Sequence, residues 1–362
     1  MEAIKKLKQR DSSIELFRII TMLIIVAHHY TVNSGVLSEI NHDNILSVNS
    51  LFSLLWGWGG KTGINCFVLI TGYFMCKSNI TLKKFLKLFL EVEFYNIVFC
   101  FIFLFTKYEP FSIKELIKAV LPFYGIGAGF TNSYLVFFCF VPFLNILIKA
   151  MDEKKHRNLL LVCLITGSVL QTIFIAPNAF TYIGWFMVIY FIGSYIRLYR
   201  AEWFSNKKWW TIAAGVTILL SLLSVIAEAI AYYVLKLDVH PWYYYVEDSN
   251  KILATVTAVS LFVFFKNLKL KYNPIINTIA ASTFGVLLIH SNSDTMSQWL
   301  WKDTLNNVGA FHTDMFIVHA ICSVVGIYII CTIIDIGRIY LIEKPVFKLI
   351  DKASDKDKRK QV

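Results

Sequence analysis

The order of hydrophobic and polar positions divides the chain into long apolar runs separated by short polar turns. A bilayer core about 30 Å thick takes roughly 20 apolar residues of helix to cross. Ten runs of about that length stand out, near residues 14–30, 50–75, 85–106, 134–150, 158–175, 180–198, 209–235, 252–268, 275–292 and 315–341. No internal repeat and no low-complexity linker separates them. The pattern predicts an all-α polytopic membrane protein with about ten transmembrane helices in one domain. That domain covers 14–341, between an N-terminal tail (1–13) and a basic C-terminal tail (342–362).

The polar residues inside these runs are the candidates for chemistry. The first run carries Glu15, Arg18, His28 and His29. At about 100° per helical residue, Arg18 and His29 share one face, about 16 Å apart along the axis. Glu15 joins that stripe and His28 lies on its flank. Ionisable residues are costly in lipid and usually face a cavity or a polar partner. Arg18 could instead snorkel to the interface, and His29 could pack against a backbone carbonyl. The shared face favours a site. The second run holds Gly57, Gly59, Gly60, Gly63 and Gly72 around Lys61 and Asn65. Small residues allow close helix packing or a break that frees backbone groups. Lys61 has no interface within easy reach, so it could hold an anionic or carbonyl group.

Composition agrees with the membrane reading: 57% of residues are hydrophobic, 16% are charged and the mean hydropathy is +0.59. The N-terminal run lacks a small-residue cleavage site and reads as a retained span. The seven cysteines form no C-x-x-C pair, so neither a disulfide framework nor a metal site is implied. The net charge of +11 follows topology and anionic lipid headgroups, with no call for nucleic acid. Lys5, Lys6, Lys8 and Arg10 precede the first run, and the loop after it, 31–49, has no lysine or arginine. The alternation continues through Lys77, Lys83, Lys84 and Lys87 to the basic C-terminus, which places both termini in the cytoplasm. His29 and His290 then fall toward the outer face. Lys84 and Lys87 form a cytoplasmic basic mouth that either obeys the positive-inside rule or receives a phosphorylated co-substrate. The aromatic loop 238–248 suits sugar rings or the lipid interface.

Arg18-x10-His29, preceded by Glu15-Leu-Phe, resembles the opening helix of acyltransferase family 3. These are bacterial integral-membrane acyltransferases that modify sugars of surface polysaccharides. Gly63-Ile-Asn65-Cys-Phe-Val-Leu-Ile-Thr71-Gly72-Tyr73-Phe74 is similar to the family's second-span segment. Phe284 to His290 resembles its penultimate helix, and Ile342-Glu343-Lys-Pro345 its closing segment. The pattern departs at Asn65, where many members carry Asp, at Thr71, where they carry Ser, and at Lys84-x-x-Lys87, which replaces R-x-x-R. Lysine keeps the charge of arginine but loses its bidentate fork.

The resemblance implies O-acyl transfer, most often of acetyl, from cytoplasmic acyl-CoA to a lipid-linked or nascent polysaccharide. Acetyl-CoA or another acyl-CoA is then a co-substrate, no cofactor is bound, and the location is the bacterial inner membrane. Arg18, Lys84 and Lys87 would receive CoA phosphates. His29 would act as general base or as acyl-accepting nucleophile, and Lys61 or Asn65 would stabilise the oxyanion. Membrane lipids are the remaining partner, and a homo-oligomer stays open. Two rival readings are a transporter or flippase for a glycan or small anion, and an assembly protein without chemistry.

Overall fold

The computed structural model describes residues 10–360 apart from 111, 122–128, 175–179, 200–201, 238–239 and 241; of 115, 118 and 353–360 only the backbone is described. Among the described residues the chain is helical and forms no strand. Helix α1 (Ser12–Val32) starts at Asp11, whose carboxylate accepts from the Ser13 N–H. This caps one of the amide groups that a helix start leaves without a partner. Then come α2 (Val48–Gly57), α3 (Gly60–Met75), α4 (Leu82–Phe105), α5 (Ile113–Val120) and α6 (Phe130–Ala150). Helix α7 (Glu153–Leu164) runs on through a wide turn into α8 (Leu170–Ile173). Next are α9 (Tyr182–Leu198), α10 (Lys207–Leu235) and α11 (Ile252–Lys266). The last third holds α12 (Pro274–Ala281), α13 (Thr283–His290), α14 (Asp294–Ser297), α15 (Asn307–Phe311), α16 (Phe316–Arg338) and α17 (Lys344–Lys360).

Among the described residues six helices are long and apolar enough to cross a membrane, in α1, α4, α6, α7–α8, α10 and the α16–α17 helix. A seventh crossing is available if Pro274–His290 and Asp294–Thr304, bent by 91°, count as one. Helices α9 and α11 are apolar but shorter.

Helix α1 is the central post. It packs against α2, α3, α11, α12, α13 and α16. Its first turn is fastened to the segment before α12: the Ser13 hydroxyl accepts from Leu270 N–H at 2.8 Å, and Ser12 from Asn273 N–H at 2.9 Å. The second tight crossing joins α3 to α9. A methyl group at Gly72 would sit 2.6 Å from the Tyr190 carbonyl oxygen, and one at Gly193 2.6 Å from that of Leu69. Bare glycines let the two backbones touch, the usual means of close helix association where lipid offers no hydrophobic drive.

The structure departs from the sequence pattern at four places. The run 50–75 breaks at Trp58–Gly59 into α2 and α3. A side chain at Gly60 would collide with the His28 ring, so packing and the break occur together. The run 275–292 divides at Ser282. Residues 294–304 add a helix set across the preceding one. Helix α17 carries the C-terminal segment 344–360 as a helix where the pattern suggested a tail.

Gly193→Val tests the α3–α9 crossing. Overpacking there is expected to cost about 1–3 kcal/mol, read as a lower thermal-unfolding midpoint of the detergent-purified protein. An unchanged midpoint would mean the two backbones can separate without loss.

Candidate functional site

Three histidines and one lysine meet where α1, α3 and α13 converge. His29 Nδ1 lies 2.9 Å from His290 Nε2. His290 Nδ1 in turn lies 2.6 Å from the Val286 carbonyl oxygen, one turn back on α13. A carbonyl only accepts, so His290 carries its hydrogen on Nδ1 and presents the Nε2 lone pair. His29 Nδ1–H therefore donates, and with a neutral ring its Nε2 keeps a lone pair with no protein partner among the described residues. His28 follows the same rule. Its Nδ1–H donates to the Gly57 carbonyl oxygen at 2.5 Å. Gly57 ends α2, so the break before α3 leaves that carbonyl available.

These groups line a cavity of about 360 Å³. His28, His29, Lys61, Tyr182, Asn96 and Asn292 all reach its wall. Lys61 stands in the first turn of α3, donates to the Tyr182 hydroxyl, and lies 4.0 Å from Asp248 Oδ1. Asn292 donates to the Asn96 side-chain oxygen at 3.3 Å, tying the end of α13 to α4. His290 itself is fully buried behind His29. The arrangement offers a proton acceptor, a cation and several amide groups around one cavity.

A model of the acyltransferase domain of acyltransferase family 3 matches residues 11–336. The chain belongs to this family. Neither the curated proteins nor the solved structures contain a match. Membership makes the protein a membrane acyltransferase and favours chemistry over the transporter reading.

The other predicted site residues of this acyltransferase lie elsewhere. Asn65 is buried between helices: its amide donates to the Ser249 carbonyl at 2.5 Å and its oxygen accepts from Trp185 Nε1 at 3.1 Å. It braces α3, α9 and the start of α11. Glu15 and Arg18 form a loose ion pair at 3.7 Å, one end of the stripe whose other end is His29. Glu15 is also 3.8 Å from Arg10. Lys84 donates to Ser78 Oγ at 2.5 Å and to the Asn79 carbonyl at 2.8 Å. Lys87 pairs with Glu343 at 2.6 Å. Neither lysine lines the histidine cavity.

Lys87 leads to a feature that sequence reading passed over. Arg338 is 7% exposed and meets three carboxylates: Asp335 at 2.7 Å, Glu91 at 2.8 Å and Glu343 at 2.9 Å. Tyr95 donates to Asp335 at 2.7 Å. Gly285 packs bare against the same carboxylate, where a Cβ would overlap it. The cluster joins α4 to α16 and α13. On α16 it lies about 28 Å from His319, which bonds Tyr30 of α1 at the histidine end. The signal was present as Glu91 and Asp335 in apolar runs, but their one shared partner is far away in sequence. Tyr182, Asn96 and Asn292 were missed because single polar residues in apolar runs give no spacing to read.

Removing one member of a buried ionic cluster leaves uncompensated charge. Arg338→Met is expected to destabilise the protein by about 3–5 kcal/mol, seen as early loss of the monodisperse peak on heating in detergent. Lys87→Ala removes a half-exposed partner and is expected to shift that loss far less. Equal behaviour of the two variants would refute the cluster as a clamp.

Proposed function

We propose that this acyltransferase moves an acyl group, most simply acetyl, from cytoplasmic acyl-CoA to a hydroxyl of a cell-surface or lipid-linked glycan. One observation carries the mechanism: the hydrogen bonds Val286–His290–His29 leave the Nε2 lone pair of His29 free in the cavity. In this reading the acceptor hydroxyl gives its proton to His29 Nε2 as its oxygen attacks the thioester carbonyl. The tetrahedral intermediate collapses, the C–S bond breaks, and the CoA thiolate takes the proton back. His290 accepts from His29 Nδ1–H throughout and holds the ring in place as a positioning residue. Lys61, beside Tyr182, supplies the positive charge for the oxyanion. His28 shapes the cavity wall from its bond to Gly57.

The same proposal sets the topology. Ten crossings result from the six long helices, the bent pair, the shorter α9 and α11, and the broken α2–α3 unit. The lysine and arginine asymmetry supports cytoplasmic termini in a bacterial inner membrane. The Glu15–Arg18 pair then marks the inner end of the α1 stripe, where the CoA phosphates arrive, with Lys84 and Lys87 at the rim. His29 faces the acceptor side.

The test is transfer of radiolabelled acetyl from acetyl-CoA to surface glycan in membranes with matched protein levels. His29→Ala is expected to lower labelling by about 10²–10⁴-fold. His290→Ala, which frees the His29 ring to rotate, is expected to lower kcat by less and to leave the KM for acetyl-CoA unchanged. Equal labelling by wild type and His29→Ala would make His29 a packing residue and end the proposal.

A further inference from the structure

A second, larger cleft of about 750 Å³ opens beside the histidine cavity. Asn33, Ser291 and Asn292 line both spaces, so the two adjoin. Ser291 directly follows His290, and Asn33 caps the last turn of α1 four residues beyond His29. The far wall is the helix 294–304, which the 91° bend turns across the end of α13. The opposite wall is the turn after α4, with Tyr108 and Glu109.

The lining is hydroxyl, carboxamide and carboxylate, with one aromatic ring. Asp303 holds two of these groups in place: Tyr108 O–H donates to one carboxylate oxygen and Gln298 donates to the other at 2.9 Å. Gln298 thereby keeps its amide oxygen without a partner among the described residues, and Tyr108 stays 38% exposed. Glu109, Asp294 and Lys302 also line the cleft and have no ion-pair partner among the described residues. Two unpaired carboxylates against one lysine give the cleft a negative balance.

We infer that this cleft is the acceptor subsite and that it takes an uncharged, polyhydroxylated sugar in preference to an acidic one. The inference rests on the acyl transfer proposed above and adds the class of acceptor. Carboxylates accept hydrogen bonds from sugar hydroxyls, carboxamides both accept and donate, and the Tyr108 ring offers an apolar face to a sugar's C–H side. An acidic sugar would place its carboxylate near Glu109 and Asp294, a like-charge contact that disfavours it. A glycan seated here reaches the His29 cavity across Asn33 and Asn292.

The experiment uses the full-length protein in detergent on an array of neutral and uronic acid-containing oligosaccharides. In parallel, the same preparations returned to membranes are assayed for acetyl transfer to surface glycan. Wild type is expected to bind neutral glycans at least tenfold more tightly than acidic ones of equal length. The Glu109→Gln/Asp294→Asn variant, which keeps size and hydrogen-bonding shape, is expected to bind neutral glycans about tenfold more weakly or worse. It is also expected to lose its discrimination against acidic ones. Tyr108→Ala serves as a second variant with the same expected weakening, should the double variant fail to fold. Binding to acidic glycans first, no glycan binding, or binding untouched in every folded variant would each overturn the subsite. If acetyl transfer persists in those cases, the reaction proposal stands without it. If wild type transfers no acetyl, the reaction proposal falls on its own evidence.

Discussion

The carbonyl of Val286 decides where the hydrogens sit on His290 and His29. Because it can only accept, His290 must donate to it, and the direction of the His29–His290 hydrogen bond follows. A histidine in water exchanges tautomers freely. Here one backbone oxygen, fixed by the helix it belongs to, leaves His29 with its outward nitrogen unprotonated. The rest of the fold serves to keep that geometry. Helix α1 carries His29, α13 carries His290, and both are packed against α16.

Polar groups in lipid must find partners inside the protein. This acyltransferase gathers many of them at two ends of its bundle. At one end the histidines, Lys61 and the asparagines surround open space. At the other, Arg338 and its carboxylates are packed against one another. The first arrangement leaves hydrogen-bonding capacity unused and so can meet a ligand. The second turns most of that capacity inward and holds helices together. A buried cluster of this second kind is weak evidence for net stability, since desolvation offsets much of the attraction, but breaking it is costly. The two ends thus divide reactivity from anchoring.

The sequence revealed α1 and its polar stripe because helical period and apolar length are local properties. The same holds for the six long apolar helices among the described residues, each of which falls on an apolar run, while the runs 50–75 and 275–292 divide where packing breaks them. Its motifs alone resemble the family. What stayed hidden depends on distance. Asn65 read as a candidate from its place in the second-span motif, and α9 and the segment before α11 claim both ends of its amide. Lys87 read as one residue of a basic mouth for phosphates, and its partner Glu343 arrives from the far end of the chain. His290 was singled out by the family motif and by its place near the outer face. Only the fold shows that it stands behind His29.

The break between α2 and α3 has a bearing on inheritance. His28 and His290 both lean on main-chain oxygens, Gly57 and Val286, and no point mutation can delete a main-chain oxygen. Partners made of side chains can drift away one codon at a time; these cannot. The exposure to genetic change therefore moves to the residues that shape the backbone. Gly57 ends α2 against Thr31, and Gly60 opens α3 against the ring of His28. Neither glycine takes part in the chemistry. In a lineage of such proteins, these two positions would have little freedom to vary although neither has a side chain.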